Sequence, residues 1–215
     1  MKRVVVITAG LSVPSSTRLL ADLLGDAVER AIEARGSEVG VEIVELRPLA
    51  HALADHLLTG FPTGELARVI EQVHRADALV VVTPVFAASY SGLFKNFFDV
   101  LEDGVLDGTP VLVAATAGTA RHSLVLDHAL RPLFSYLRAV VVPTGVFAAT
   151  DDFGSTDGTL QKRVERAAGE LAALVAGSGG TTSPAAAPRP VTEERFAAVT
   201  PFDQLLREAG GDSVR

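Results

Sequence analysis

The chain alternates between short β-branched runs and longer segments whose apolar residues recur every three or four positions. "RVVVITA" (Arg3–Ala9) is an unbroken β-branched run, as expected of a strand buried on both faces. The next segment, "STRLLADLLGDAVERAIEARG", sets Leu19, Leu20, Leu23, Leu24, Ala27, Val28, Ala31 and Ile32 at helical spacing and stops at Gly36. "VEIVEL" (Val41–Leu46) predicts a second strand and "TGELARVIEQVHRAD" a short helix capped by Thr63. "ALVVVT" (Ala78–Thr83) predicts the third strand, followed by a helix from about Gly92 to Glu102. "TPVLVAATAG" (Thr109–Gly118) is the fourth strand, and "AVVVPTGVFAA" the fifth. Between them "ARHSLVLDHALRPLFSYLRA" is helical, with Pro132 expected to kink or divide it. "GTLQKRVERAAGELAALVAG" closes the series as an amphipathic helix.

Strands alternating with helices predict an α/β fold: a parallel sheet between two helical layers. With five strands the flavodoxin-like order 2-1-3-4-5 is expected, in a three-layer sandwich occupying residues 1–176. Residues 177–190, "GSGGTTSPAAAPRP" after the last helix, form a low-complexity linker. Residues 191–215 form a C-terminal tail with a short helix, in which Thr200 and Pro201 supply the cap and first position.

In an open sheet of this kind ligands bind beyond the carboxyl ends of the strands, where the strand order reverses. That singles out three loops. "GLSVPSSTR" (Gly10–Arg18) offers the hydroxyls of Ser12, Ser15, Ser16 and Thr17, a helix start and the Arg18 cation, which together suit a phosphate. The same residues also describe an ordinary helix cap. The loop has neither the glycine spacing of a dinucleotide fingerprint nor the lysine of a P-loop, and Pro14 replaces the second glycine of a nucleophile elbow. "TPVFAASYSG" keeps an extended backbone through Pro84 and sets Phe86 beside small residues, a wall for a flat ring. "TAGTARH" brings small residues that let a backbone approach closely.

Composition narrows the chemistry. The 215 residues hold no cysteine, which removes disulfides, thiolate nucleophiles and Cys-bound zinc. A net charge of −7 without a basic stripe disfavours nucleic acid and anionic membrane surfaces. No apolar stretch approaches the roughly 20 residues of a membrane span, and the basic start "MKR" leads into a strand rather than a signal peptide. A cytoplasmic protein is expected. The five histidines show no i,i+4 pair, so no metal site is expected.

The segments "PSSTRLL", "TPVFAASYSGLFKNFFDVL", "ATAGTARHSLVLDHALRP" and "TGVFA", in this order over most of residues 1–149, resemble the NAD(P)H-dependent FMN reductase family. Within it they are most similar to the flavin reductases of two-component monooxygenase systems, of the alkanesulfonate type. The tail's "TPFDQLL" resembles a subgroup accompanying luciferase-like monooxygenases. The resemblance implies FMN as cofactor, NADPH or NADH as hydride donor, and a flavin-dependent monooxygenase as partner. By position it implies that Ser12, Ser15, Thr17 and Arg18 hold the FMN phosphate, that Pro84, Val85 and Phe86 line the ring, and that Thr116, Ala117, Gly118 and Thr119 meet its pyrimidine edge.

The chain departs from the family in three places. Phe86 stands where tyrosine is usual, Ala117 replaces one glycine of a pair, and the first loop lacks its common arginine, leaving that charge to Arg18 or a neighbouring subunit. Hydride passing between two stacked rings needs positioning rather than an acid or base, so no essential catalytic side chain is expected. Tyr90 is a positional candidate, and His122 is read as a surface or capping residue. Leu93, Phe94, Phe97, Phe98, Val100 and Leu101 make the helix after Tyr90 apolar over more than one face. That helix is therefore expected to join subunits as a homodimer or homotetramer, and a π-type turn near Tyr90 is one option for it. A quinone or azo reductase, or a non-enzymatic flavodoxin-like electron carrier, are the alternative functions.

Overall fold

The computed structural model describes residues 1–177. The tail helix expected over residues 191–215, and the expected linker beyond Gly177, lie outside these residues. Strands β1 (Lys2–Thr8), β2 (Val39–Glu45), β3 (Ala78–Phe86) and β5 (Pro110–Ala117) form the parallel centre of the sheet. Its order is β2-β1-β3-β5-β6, where β6 is Val140–Val141 and β7 (Val146–Ala149) continues beside β5. Counted as one interrupted strand, β6 and β7 make the expected order 2-1-3-4-5. The interruption falls at Pro143, which has no N–H for a ladder. Arg131 donates to the carbonyls of Val142 and Pro143 there, and Glu170 accepts from the Thr144 N–H and hydroxyl, both at 2.7 Å.

Helices α1 (Ser16–Glu33) and α6 (Thr159–Gly177) cover one face of the sheet through Leu20, Leu24, Val28, Val164 and Leu171. The other face packs against α2 (Ala50–Thr59), α3 (Gly64–His74), α4 (Gly92–Asp99) and α5 (Arg131–Tyr136). Helix α2 is not announced by the hydrophobic pattern. Leu53 and His56 are its buried residues, while Leu57 and Leu58 face solvent. His56 Nε2 lies 3.3 Å from the Val100 carbonyl, so that nitrogen carries the proton, and α2 is tied to the end of α4.

The aromatic residues of α4 turn inward. Phe94, Phe97 and Phe98 are buried within this single chain, with Phe98 stacked edge-on against Phe134 of α5 at 4.9 Å and Phe94 at 4.8 Å from Phe98. A second subunit is therefore not needed to explain the helix's apolar girth. The segment before α5 divides as its proline suggested, but one turn earlier. A short 3-10 turn (Ala120–His122) is followed by a π-helical turn over Leu126–Leu130, and Pro132 sits in the first turn of α5. The π turn is here rather than near Tyr90.

Candidate functional site

The register brings the carboxyl ends of β1, β3 and β5 side by side, pairing Thr8 with Val82 and Pro84 with Thr116. Above them lie the three loops expected from the sequence. In the first, Ser15 is extended (φ −125°, ψ 119°) and its Oγ accepts from the Arg18 N–H at 3.2 Å, capping α1. The Leu19 N–H bonds to the Ser15 carbonyl, which leaves the Ser16 and Thr17 N–H groups at the open end of the helix. A Cβ at Gly10 would sit 2.2 Å from Ser15 Oγ, so glycine lets the loop close over its own cap. Ser12 and Ser16 are exposed.

The Arg18 guanidinium is committed elsewhere. It donates to Asp22 at 2.8 Å and to Glu45, and the hydrogen bond to Asp22 leads the causes that keep its pKa above the ordinary value. An anion at this loop would therefore meet N–H groups and hydroxyls rather than this guanidinium.

The second loop is a hairpin that the sequence did not reveal. Strand β3 runs on through Phe86, and β4 (Ser89–Tyr90) folds back on it, pairing Val85 with Tyr90 and Phe86 with Ser89. Ala87 (φ 47°) and Ala88 (φ 65°) form a two-residue turn with both residues left-handed, the type I′ pattern. Its base is fixed by Thr83, fully buried, whose Oγ1 accepts from the Ser91 N–H and donates to the Pro84 carbonyl, each at 3.0 Å. Ser91 then caps α4 by accepting from Phe94 N–H at 3.2 Å. The construction holds Phe86 out with 47% of its surface exposed, while Pro84 and Val85 are half-buried. Tyr90 is half-buried as well, its ring 5.9 Å from that of Phe94, at the inner edge of the aromatic cluster.

In the third loop, Thr116 behaves differently from its neighbours. Its side chain is buried on the α1 side of the sheet, with Oγ1 2.8 Å from Thr17 Oγ1. Both residues are buried and their hydroxyls are bonded to each other. Ala117 is half-buried, and Gly118 and Thr119 are exposed. A Cβ added at Gly118 would meet nothing within 4 Å, which leaves that backbone open to a flat partner. His122 is exposed on the following turn. Thr8 was missed by sequence reasoning: a lone hydroxyl ending an apolar strand, buried without a hydrogen-bond partner beneath the first loop. A recess of about 490 Å³ lined by Met1, Arg3, Gly40, Glu42, Gln72 and Arg75 lies at the opposite end of the sheet, away from these loops. Among the described residues no group of three His, Cys, Asp or Glu is placed to hold a metal.

Hydroxyl-bearing, aromatic and glycine loops thus gather beyond the strand ends of a flavodoxin-like α/β sandwich, the place where open sheets of this class take their ligands. Residues 2–154 match the model of the family described as NADPH-dependent FMN reductase, and the chain belongs to that family. It is accordingly an NAD(P)H:FMN oxidoreductase, with FMN and NADPH or NADH as its cofactors. An FMN reductase (NADPH) of Pseudomonas aeruginosa is 38% identical over 178 residues, 81% of this chain and 93% of that protein. The NADH-dependent FMN reductase SfnF of Pseudomonas putida is 40% identical over 151 residues, 70% of this chain and 79% of the relative. Among solved structures, an oxidoreductase from Corynebacterium diphtheriae is 54% identical with a TM-score of 0.80, covering 82% of this chain and 98% of that one.

Proposed function

We propose that this reductase hands reduced FMN to a partner flavin-dependent monooxygenase rather than keeping it as a resident electron carrier. The observation that carries the reading is the openness of the ring site. One aromatic, Phe86, flanks it and is 47% exposed, and the backbone at Gly118 has free space before it. A carrier that retains flavin encloses the ring between aromatics, whereas this chain has no tryptophan and, among the described residues, these loops expose one aromatic, Phe86.

When bound, FMN supplies the two-electron hydride acceptor that no side chain provides. The chain's own residues then have positioning tasks. Ser12, Ser15, Ser16 and the N–H groups of Ser16 and Thr17 meet the phosphate. Pro84, Val85 and Phe86 form the wall on one side of the ring, and the backbone of Ala117–Thr119 meets its polar edge. The small Ala87–Ser89 turn leaves room for a second flat ring in stacking distance. No side chain is assigned a proton transfer. Residues 1–176 constitute this reductase unit within a cytoplasmic protein; among the described residues no helix is long and apolar enough to cross a membrane.

The test is NAD(P)H oxidation with and without added FMN, followed by anaerobic ultrafiltration to ask where the reduced flavin goes. FMN-dependent turnover with reduced FMN in the filtrate is the expected result. Flavin that stays with the protein and is reduced without exchange refutes the hand-over. We also propose a homodimer or homotetramer. With the α4 phenylalanines internal, the argument shifts to the exposed Leu58 and Phe61 at the end of α2, and light scattering coupled to size exclusion decides it.

A further inference from the structure

The Thr17–Thr116 contact joins parts of the chain 99 positions apart. Thr17 lies in the first turn of α1, at the phosphate cradle; Thr116 is the next-to-last residue of β5, at the start of the ring-edge loop. Among the described residues it is the side-chain hydrogen bond between these two loops, and it crosses the end of β3, where Pro84 stands opposite Thr116. Both side chains are 3% exposed.

We infer that Thr17 and Thr116 are a positioning pair that sets the distance between the phosphate anchor and the ring-edge anchor, and so selects FMN over flavin lacking a phosphate. The inference rests on the flavin reading of this site. The physical basis is the difference between a hydrogen bond and an apolar contact. Two hydroxyl oxygens sit 2.8 Å apart, whereas two methyl groups in their place pack at about 4 Å. Replacing the bond by an equally well-packed apolar contact thus spreads the two loops by roughly 1 Å, a displacement on the scale that matters for fixed geometry. A ligand that spans both anchors registers that change. A ligand that lacks the phosphate uses one anchor and does not.

The experiment compares T17V, T116V and T17V/T116V by titration with FMN and with riboflavin, alongside thermal melts. A single valine leaves the other hydroxyl buried and unpaired, so each single variant is expected to be less stable. The double variant removes both hydroxyls and should recover most of that loss. For FMN, the dissociation constant is expected to rise about tenfold in each single variant and by no more in the double, because all three break the same bond. Riboflavin binding should stay within about twofold in every variant, and T17S should restore the wild-type value for FMN, since it keeps the hydroxyl.

Three results overturn the inference. One is a double variant that binds FMN as wild type does, which makes the pair purely structural. Another is losses that add in the double variant, with the T116V loss also present for riboflavin, which makes both residues direct contacts. The third is a T17S variant as weak as T17V. A failure of the flavin reading itself shows earlier and separately, as wild-type protein that binds no FMN.

Discussion

The hairpin turn at Ala87 and Ala88 stores strain that can be measured. Both residues hold positive φ, 47° and 65°, in a turn that ordinarily carries Asn-Gly. An L-residue with a Cβ pays about 1–2 kcal/mol for the left-handed region. Asparagine tolerates it better, and glycine removes the penalty at the cost of about 0.4–1 kcal/mol of extra unfolded-state entropy. Both alanines are exposed, so little packing is lost when their methyl groups change. The A87N/A88G double substitution should therefore gain on the order of 1 kcal/mol. For a chain of this size that corresponds to a rise in melting temperature of about 2–4 °C. Ala87→Val is the opposing control, since a β-branched residue is a true outlier at this φ and should lower the melting temperature. Differential scanning calorimetry, or a circular-dichroism melt at fixed scan rate, reads all three proteins. A melting temperature that falls or stays unchanged in the Asn-Gly variant refutes the strain argument.

Gly118→Ala should leave the melting temperature unchanged or slightly raised, because the added Cβ meets no atom, yet weaken FMN binding severalfold in a fluorescence-quenching titration; unaltered affinity would remove this backbone from the site. Thr83→Val strands the buried Ser91 N–H and should cost about 1–3 kcal/mol in urea unfolding, with a wild-type midpoint counting against the hydroxyl's role at the base of the hairpin. The Asp157 carboxylate, held below its usual range chiefly by the Thr159 N–H, contributes stability that is present above its unfolded pKa and fades as pH falls through the lower folded one. D157N should flatten that acid limb of a melting-temperature profile, and an identical profile would show that the hydrogen bond contributes nothing.

Much of this fold is legible because a strand buried on both faces needs an uninterrupted apolar run. "VVVI" and "ALVVV" therefore declare themselves, and the order of the sheet follows from alternation with helices. Helix α2 escapes because few of its residues are buried and its exposed Leu57 and Leu58 blur the amphipathic pattern. The aromatic helix after Tyr90 was legible as apolar all round, but its sequence does not name what covers it. Phe134, forty residues after Phe94, supplies part of that cover. At the site, the loops were legible from their strand ends and hydroxyl content. Side-chain direction was not. Thr116 belongs by position to the ring-edge loop, but strand parity turns it to the α1 face. Arg18 belongs to the cradle by position, yet Asp22 and Glu45 hold its charge. Nor does "FAAS" carry the Asn-Gly signal that would have announced a hairpin.

The break in the last strand bears on how the rim of the sheet meets other strands. An outermost strand invites a neighbouring molecule to continue the sheet, and the invitation grows with the length of its flat, unpaired rim. Residues 139–149, apolar and rich in valine, would make such a rim if continuous. Pro143 cuts it into pieces of two and four residues. Arg131 and Glu170 then occupy the carbonyls and the amide at the cut, leaving an incoming strand little to bind there. The proline that looks like a flaw in the fifth strand thus acts as a guard against edge-to-edge aggregation.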